Sequence, residues 1–342
     1  MNPLTGILLI ALGSIGTASF YVPFKKVKIW SWESYWLSQG VAAWIIAPLL
    51  FAYIFVPKGE LLPIIKEAPD SAKLMAMFFG ALWGFGGLTF GLSIRYLGVA
   101  LGQSIALGLC AAFGTLIPLI IAGDSLFSTT TGILTVIGVS TTVGGIAVIG
   151  YAGSLKSKEI TEEEKKAAVK EFALKKGIFI AIFAGIMSAC FNFGFESGKP
   201  IEAVAIAHGT NPLFQKNPSL IFILLGGFIT NLVYCGYLNI INKTYKDYFS
   251  VSGSVLLNNL FFTFLAGFLW FLQFHFFGMG SSKLPEGMAV FGWSILMALN
   301  IAFSNIWGIF LNEWKGVKKK TIAVLIIGIL ILILSTFVVK LG

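Results

Sequence analysis

Gly185, Ser188, Asn192 and Glu196 recur in an otherwise apolar run. Steps of three and four residues put them on one face of a helix. Near the start of the chain, Ser14, Thr17, Tyr21 and Lys25 stand 171 positions earlier and form a matching face. Two more stripes follow the same spacing: Asn259, Thr263, Gly267, Trp270 and Gln273, then Trp293, Met297, Asn300 and Ser304. Asn231 and Gln103 are isolated polar residues within apolar runs, and Trp83 closes the motif GALW. Amides and hydroxyls around an indole suit a sugar. Its hydroxyls need paired donors and acceptors, and its C–H face packs on an aromatic ring. The expected binding set is Tyr21, Trp83, Gln103, Asn192, Asn231, Asn259, Trp270, Gln273 and Asn300. No apolar run has a central Lys or Arg to balance an anion, so the ligand is expected to be neutral. The same residues also fit a second reading, in which Asn and Ser hydrogen-bond helices to one another.

A proton carrier in such a setting is an intramembrane carboxylate or imidazole. Glu196 and His275 fit by position, and Glu33 and Glu313 flank the ends of apolar runs. Each of the first two has a plainer reading: Glu196 as the partner of Lys199 one turn on, and His275 as a hydrogen-bonded interfacial imidazole. Enzyme chemistry is not expected. It would need a nucleophile with a base, or metal ligands at working spacing. The chain has no H-E-x-x-H, and its only histidines are His208, expected in an outer loop, and His275. Cys110, Cys190 and Cys235 lie in apolar runs without a C-x-x-C pair, so they read as buried hydrophobes and not as disulfides or ligands. No metal or cofactor is expected.

These side chains need elements to hold them. The chain has 342 residues, 57% hydrophobic and 11% charged, against about 25% charged in soluble domains. A membrane-crossing helix takes about 20 residues, so the apolar content suits roughly ten. The spans are expected at 3–24, 34–56, 74–95, 98–122, 132–152, 176–198, 217–241, 254–279, 287–312 and 321–340. The first run is followed, not preceded, by Lys25, Lys26 and Lys28, the reverse of a secretion signal. It reads as a retained helix, with Trp30 and Trp32 in an interfacial belt. Net charge +9 would suggest nucleic acid in a soluble chain. Here the lysines set topology and the bilayer is the expected partner, with no nucleic acid and no obligate protein partner. One set of alternate loops carries 17 Lys plus Arg and the other set with the tails carries 7. This puts the 153–175 loop, an expected short amphipathic helix, in the cytoplasm and both termini outside.

The two halves of the chain are similar. Under the shift of 171, Gly6 meets Gly177, Ala18 meets Ala189, Phe20 meets Phe191, Phe24 meets Phe195 and Lys28 meets Lys199. GALW (Gly80–Trp83) pairs with GFLW (Gly267–Trp270), and Gly102, Ser104, Ile105, Ala112 and Phe113 pair with Gly292, Ser294, Ile295, Ala302 and Phe303. Five helices per half is an odd number, so the second half is expected upside down. Such an inverted repeat lets one central site open alternately to each side. The expected organisation is a first repeat over 1–152, a charged linker over 153–175 and a second repeat over 176–342.

Longer stretches carry a family resemblance. FYVPFKKVKIWSWE, FGALWGFGGLTFGLSIRYLG, the run from Lys199-Pro200 through NPLF (Asn211–Phe214) to GGFITNLVYC, and NEWKG (Asn312–Gly316) resemble the bacterial L-rhamnose–proton symporters. The resemblance covers most of the chain and includes charged letters. It implies the drug/metabolite transporter superfamily, ten helices, and import of L-rhamnose with a proton across the inner membrane. Two positions depart from the family pattern: Glu196, where a neutral polar residue is expected, and His275, where an aromatic is expected. A same-fold carrier or exporter of another neutral metabolite, sodium-coupled or uncoupled, fits the composition equally.

Overall fold

The computed structural model describes residues 3–121, 123, 127–159, 173–311 and 314–338, with the side chains at 94, 95, 98–101, 103, 174, 286, 287 and 290 left out. Glu313 and most of the 153–175 loop lie outside the described residues. Described residues are helical or in turns, with no strand among them. The helices are α1 (Pro3–Ser19), α2 (Tyr21–Phe24), α3 (Trp32–Gly40), α4 (Ala47–Phe55), α5 (Leu61–Glu67), α6 (Asp70–Ile121), α7 (Thr130–Glu159), α8 (Leu174–Ala207), α9 (Asn217–Ile241), α10 (Gly253–Ser281), α11 (Glu286–Phe310) and α12 (Lys319–Val338).

Among the described residues, ten stretches are long and apolar enough to cross a bilayer, the number expected from the sequence. Leu8, Phe78, Phe179, Phe261 and Leu334 are exposed on these helices, as lipid-facing side chains must be. Several boundaries differ from expectation, among them that of α7, which continues to Glu159 into the expected linker. The stretches Asp70–Ser93 and Ser104–Ile121 lie within one helix, Asp70–Ile121, where two helices separated at 96–97 are expected. The sixth helix runs through Pro200 to Ala207 and does not stop at residue 198. Proline removes one donor, and membrane helices tolerate that loss.

The chain forms two compact units. One comprises Met1–Ala11, Phe85–Phe193 and Lys283–Gly342, the other Leu12–Gly84 and Gly194–Ser282. In the first, Ile146, Ala152, Ala298, Ile301, Ala302, Leu325, Ile329 and Leu332 make a dry core between α7, α11 and α12. Close approach of α7 and α12 depends on Gly145 and Gly328, whose missing side chains leave room for Leu332 and Ile149. In the second unit, α6 and α9 touch backbone to backbone. A Cβ on Gly80 would sit 1.9 Å from the Ile223 carbonyl oxygen, and one on Gly226 1.9 Å from that of Met77.

Between α3 and α4 the chain winds into a π-helical segment, Val41–Ile46. Pro48 has no N–H to offer Trp44, the residue four before it, and its ring crowds that carbonyl. Widening the turn relieves both problems and swings Trp44 inward, where it is 2% exposed. Such segments recur at functional sites.

Candidate functional site

The widened turn opens onto a group of indoles in the second unit. Trp44 meets Trp83 and Trp270 edge to face, at 5.9 Å between ring centres in each case, and Trp83 lies 5.5 Å from Trp270. Trp36 adds a fourth ring, 6.1 Å from Trp44, and stacks on Trp32 on its other side. Two glycines hold these rings in place. A Cβ on Gly40 would fall 2.5 Å from the Trp44 ring, and one on Gly227 2.3 Å from the Trp83 ring. The indoles therefore occupy space that glycine alone leaves free.

Polar groups meet this aromatic cluster. Trp36 Nε1–H donates to Asn231 Oδ1 (3.0 Å), while Asn231 Nδ2 donates to the Gly227 carbonyl (2.9 Å). Gln39, one turn after Trp36, is fully buried, and neither end of its amide has a hydrogen-bond partner. The Trp44 indole N–H is also buried and unpaired. Leaving such groups unsatisfied costs about 1–3 kcal/mol each. A ligand that brings its own donors and acceptors recovers that cost.

Of the residues the sequence singles out, Trp83, Trp270, Asn231 and Gln273 are joined to this cluster. Gln273 donates to the Trp270 carbonyl (3.0 Å). Asn259 is fully buried and clasps the backbone of Lys28, accepting from its N–H (2.9 Å) and donating to its carbonyl (2.8 Å). Tyr21 packs on Phe20 and Phe24 at the end of the first stretch. Asn192 and Asn300 belong to the first unit. There Asn192 Nδ2 donates to the Gly114 carbonyl (2.7 Å), and Phe191 stacks on Trp293, whose indole N–H donates to the Cys110 carbonyl (3.2 Å). The Gln103 side chain lies outside those described. Gln39, Trp36 and Trp44 are not in the expected set. The signals for them were an amide within a long apolar run and a proline four residues after a tryptophan.

The ionisable groups are mostly paired. Glu196 forms an ion pair with Lys199, and both are well exposed. His275 is buried among Phe51, Phe55 and Phe214, and its Nδ1–H donates to Asn217 Oδ1 (3.0 Å). Glu33 is buried at the start of α3, where its Oε1 accepts from Asn242 Nδ2 and Thr244 Oγ1, both at 2.9 Å. Its position in the first helical turn stabilises the negative charge. His208, between the spans, donates from Nδ1 to Glu60 (2.7 Å) and from Nε2 to Glu67 (2.9 Å). Those hydrogen bonds raise its pKa above the usual histidine value. The three cysteines are buried and free.

Comparison with known proteins shows the family. The family described as L-rhamnose-proton symport protein (RhaT) matches residues 2–342. The chain is 37% identical over 341 residues to an L-rhamnose-proton symporter of Yersinia pestis (strain Pestoides F), covering 98% of this chain and 97% of the relative. It has the same identity and coverage with an L-rhamnose-proton symporter of Yersinia pseudotuberculosis serotype O:1b (strain IP 31758). Matches of this extent leave one conclusion: the chain belongs to the L-rhamnose-proton symport protein (RhaT) family.

Proposed function

We propose that this protein imports L-rhamnose, or a closely related neutral deoxysugar, together with a proton across the bacterial inner membrane. The observation that carries the reading is the indole cluster of Trp44, Trp83 and Trp270, next to a buried, unpaired Gln39 amide. A deoxysugar has an apolar face for an indole and hydroxyls for an amide. Tyr21, Asn231 and Gln273, of the same unit, belong to the proposed binding set. A buried carboxylate handles the proton in place of the expected His275 and Glu196, the latter exposed and paired with Lys199. No cofactor takes part. The coupling ion is the proton named for the family.

The proposed architecture is two inverted five-helix halves, 1–152 and 176–342, joined by a cytoplasmic linker, with both termini outside, as in the drug/metabolite transporter superfamily. The register of 171 supports it, and so does the way each compact unit draws pieces from both halves. Rocking of such halves around a central site is the usual means of alternating access. A pH probe in a lightly buffered suspension of energy-depleted cells tests the coupling. Adding L-rhamnose should turn the medium alkaline as protons enter with sugar. A flat trace in cells that take up the sugar would sink the proton reading and favour sodium or uncoupled transport.

A further inference from the structure

We infer that Glu202 is the carboxylate that binds the coupled proton, and that Lys216 is the charge it exchanges for that proton. The inference rests on the symport reading above. Glu202 lies near the end of α8, and its side chain is 8% exposed. Lys216, just before α9, bridges both of its oxygens, at 3.1 and 3.2 Å. The lysine is itself enclosed. Its Nζ sits 5.1 Å from the centre of the Phe195 ring, and its Cβ would be 3.2 Å from a Cβ on Gly278 of α10. The pair thus ties α8 to the start of α9, against a glycine that admits the lysine stem.

Other charges around Glu202 are engaged elsewhere. On its own helix Glu196 pairs with Lys199, and at the helix end His208 holds Glu60 and Glu67. Ile201 packs on Ala68 and Ala72, and between them Asp70 pairs with Lys73. From α10, His275 faces Asn217, the residue after Lys216. Among the described residues Lys216 is the one cation bonded to Glu202.

A proton arriving from water binds a Glu202 oxygen and neutralises the carboxylate. Lys216 keeps its own proton and loses its partner. Lys216 is 15% exposed, and a part-buried charge without a partner is unfavourable, so the ammonium turns toward water and draws the 214–219 segment away from Glu202. That segment bears on α10. Phe214 stacks on His275 at 5.8 Å and Asn217 bonds it, five residues beyond Trp270. Proton binding and the indole cluster are therefore linked through one helix. When the proton leaves on the other side, the ion pair re-forms and resets the cycle.

The test uses the full chain in proteoliposomes, comparing wild type, Glu202→Gln, the double variant Glu202→Gln/Lys216→Gln, and Asp70→Asn from an exposed pair. With an inward proton gradient of one pH unit, one-proton coupling accumulates L-rhamnose about tenfold. Wild type and Asp70→Asn should reach that ratio. Glu202→Gln should fall to a ratio of one, yet still exchange labelled for unlabelled sugar, with a KM that no longer changes with external pH. The double variant should exchange likewise. Accumulation retained by Glu202→Gln overturns the inference, as does loss of exchange in both variants, which would make the pair structural. A wild type that equilibrates without accumulating overturns the symport reading itself.

Discussion

Substituting Gly227 by alanine gives a sharp test of the indole cluster. The new Cβ would lie 2.3 Å from Trp83 Cζ3, 2.5 Å from Cε3 and 3.3 Å from the Gly80 carbonyl oxygen. Carbon atoms rest at about 3.5–4.0 Å, so the ring must move by about 1 Å or more. It has little room to do so, with Trp44 and Trp270 on its other sides. Overpacking of this kind costs about 1–3 kcal/mol. If that cost falls on the sugar-binding geometry, KM for L-rhamnose rises about 5- to 150-fold. Gly236→Ala, on the same helix with nothing within 4 Å of the new Cβ, is the control, and it should leave KM unchanged. The assay is initial-rate uptake as a function of sugar concentration, with thermal unfolding in detergent measured alongside. A lowered melting temperature with unchanged KM would reduce the cluster to packing. No change in either would refute the steric reasoning altogether.

Three further outcomes are expected. Gln39→Met removes a buried, unpaired amide, so it should raise folding stability by about 1–3 kcal/mol while weakening sugar binding. Equal affinity in uptake assays would exclude Gln39 from the site. Asn259→Ala deletes both part-buried hydrogen bonds to the Lys28 backbone and should destabilise by about 1–3 kcal/mol, at about 0.5–1.5 kcal/mol for each bond, read from thermal unfolding. The raised pKa of His208 means that its pairing with Glu60 and Glu67 adds stability that is fully present below about pH 6.5 and is lost as pH rises through the folded-state value. The difference in melting temperature between wild type and His208→Gln should therefore be largest at acid pH and shrink on alkalinisation, and a difference independent of pH would contradict it.

The ten stretches could be read from the sequence because a bilayer demands long apolar runs and the lysines punctuate them. Trp83 and Trp270 stand in the expected binding set and at matching places in GALW and GFLW, but their contact at 5.5 Å comes from helix packing that the sequence does not display. Trp44 was not, because the π-helical segment before Pro48 rotates it off the face that regular helical spacing assigns. Gln39 escaped because it forms no stripe. Glu202 and Lys216 escape for a different reason: the expected sixth span ends at residue 198, which leaves both outside the spans, whereas α8 carries Glu202 to within 3.1 Å of Lys216. Asn259, part of the stripe on α10, spends its amide on the Lys28 backbone, a partner 231 residues away that periodicity alone does not reveal.

The most direct test of the central claim is accumulation of labelled L-rhamnose in proteoliposomes holding the purified protein, with an inward proton gradient imposed and then collapsed by an ionophore. The account predicts internal sugar above the external concentration while the gradient lasts, and its release to equality on collapse. Sugar that enters only to equality with the gradient intact, or does not enter at all, would contradict it.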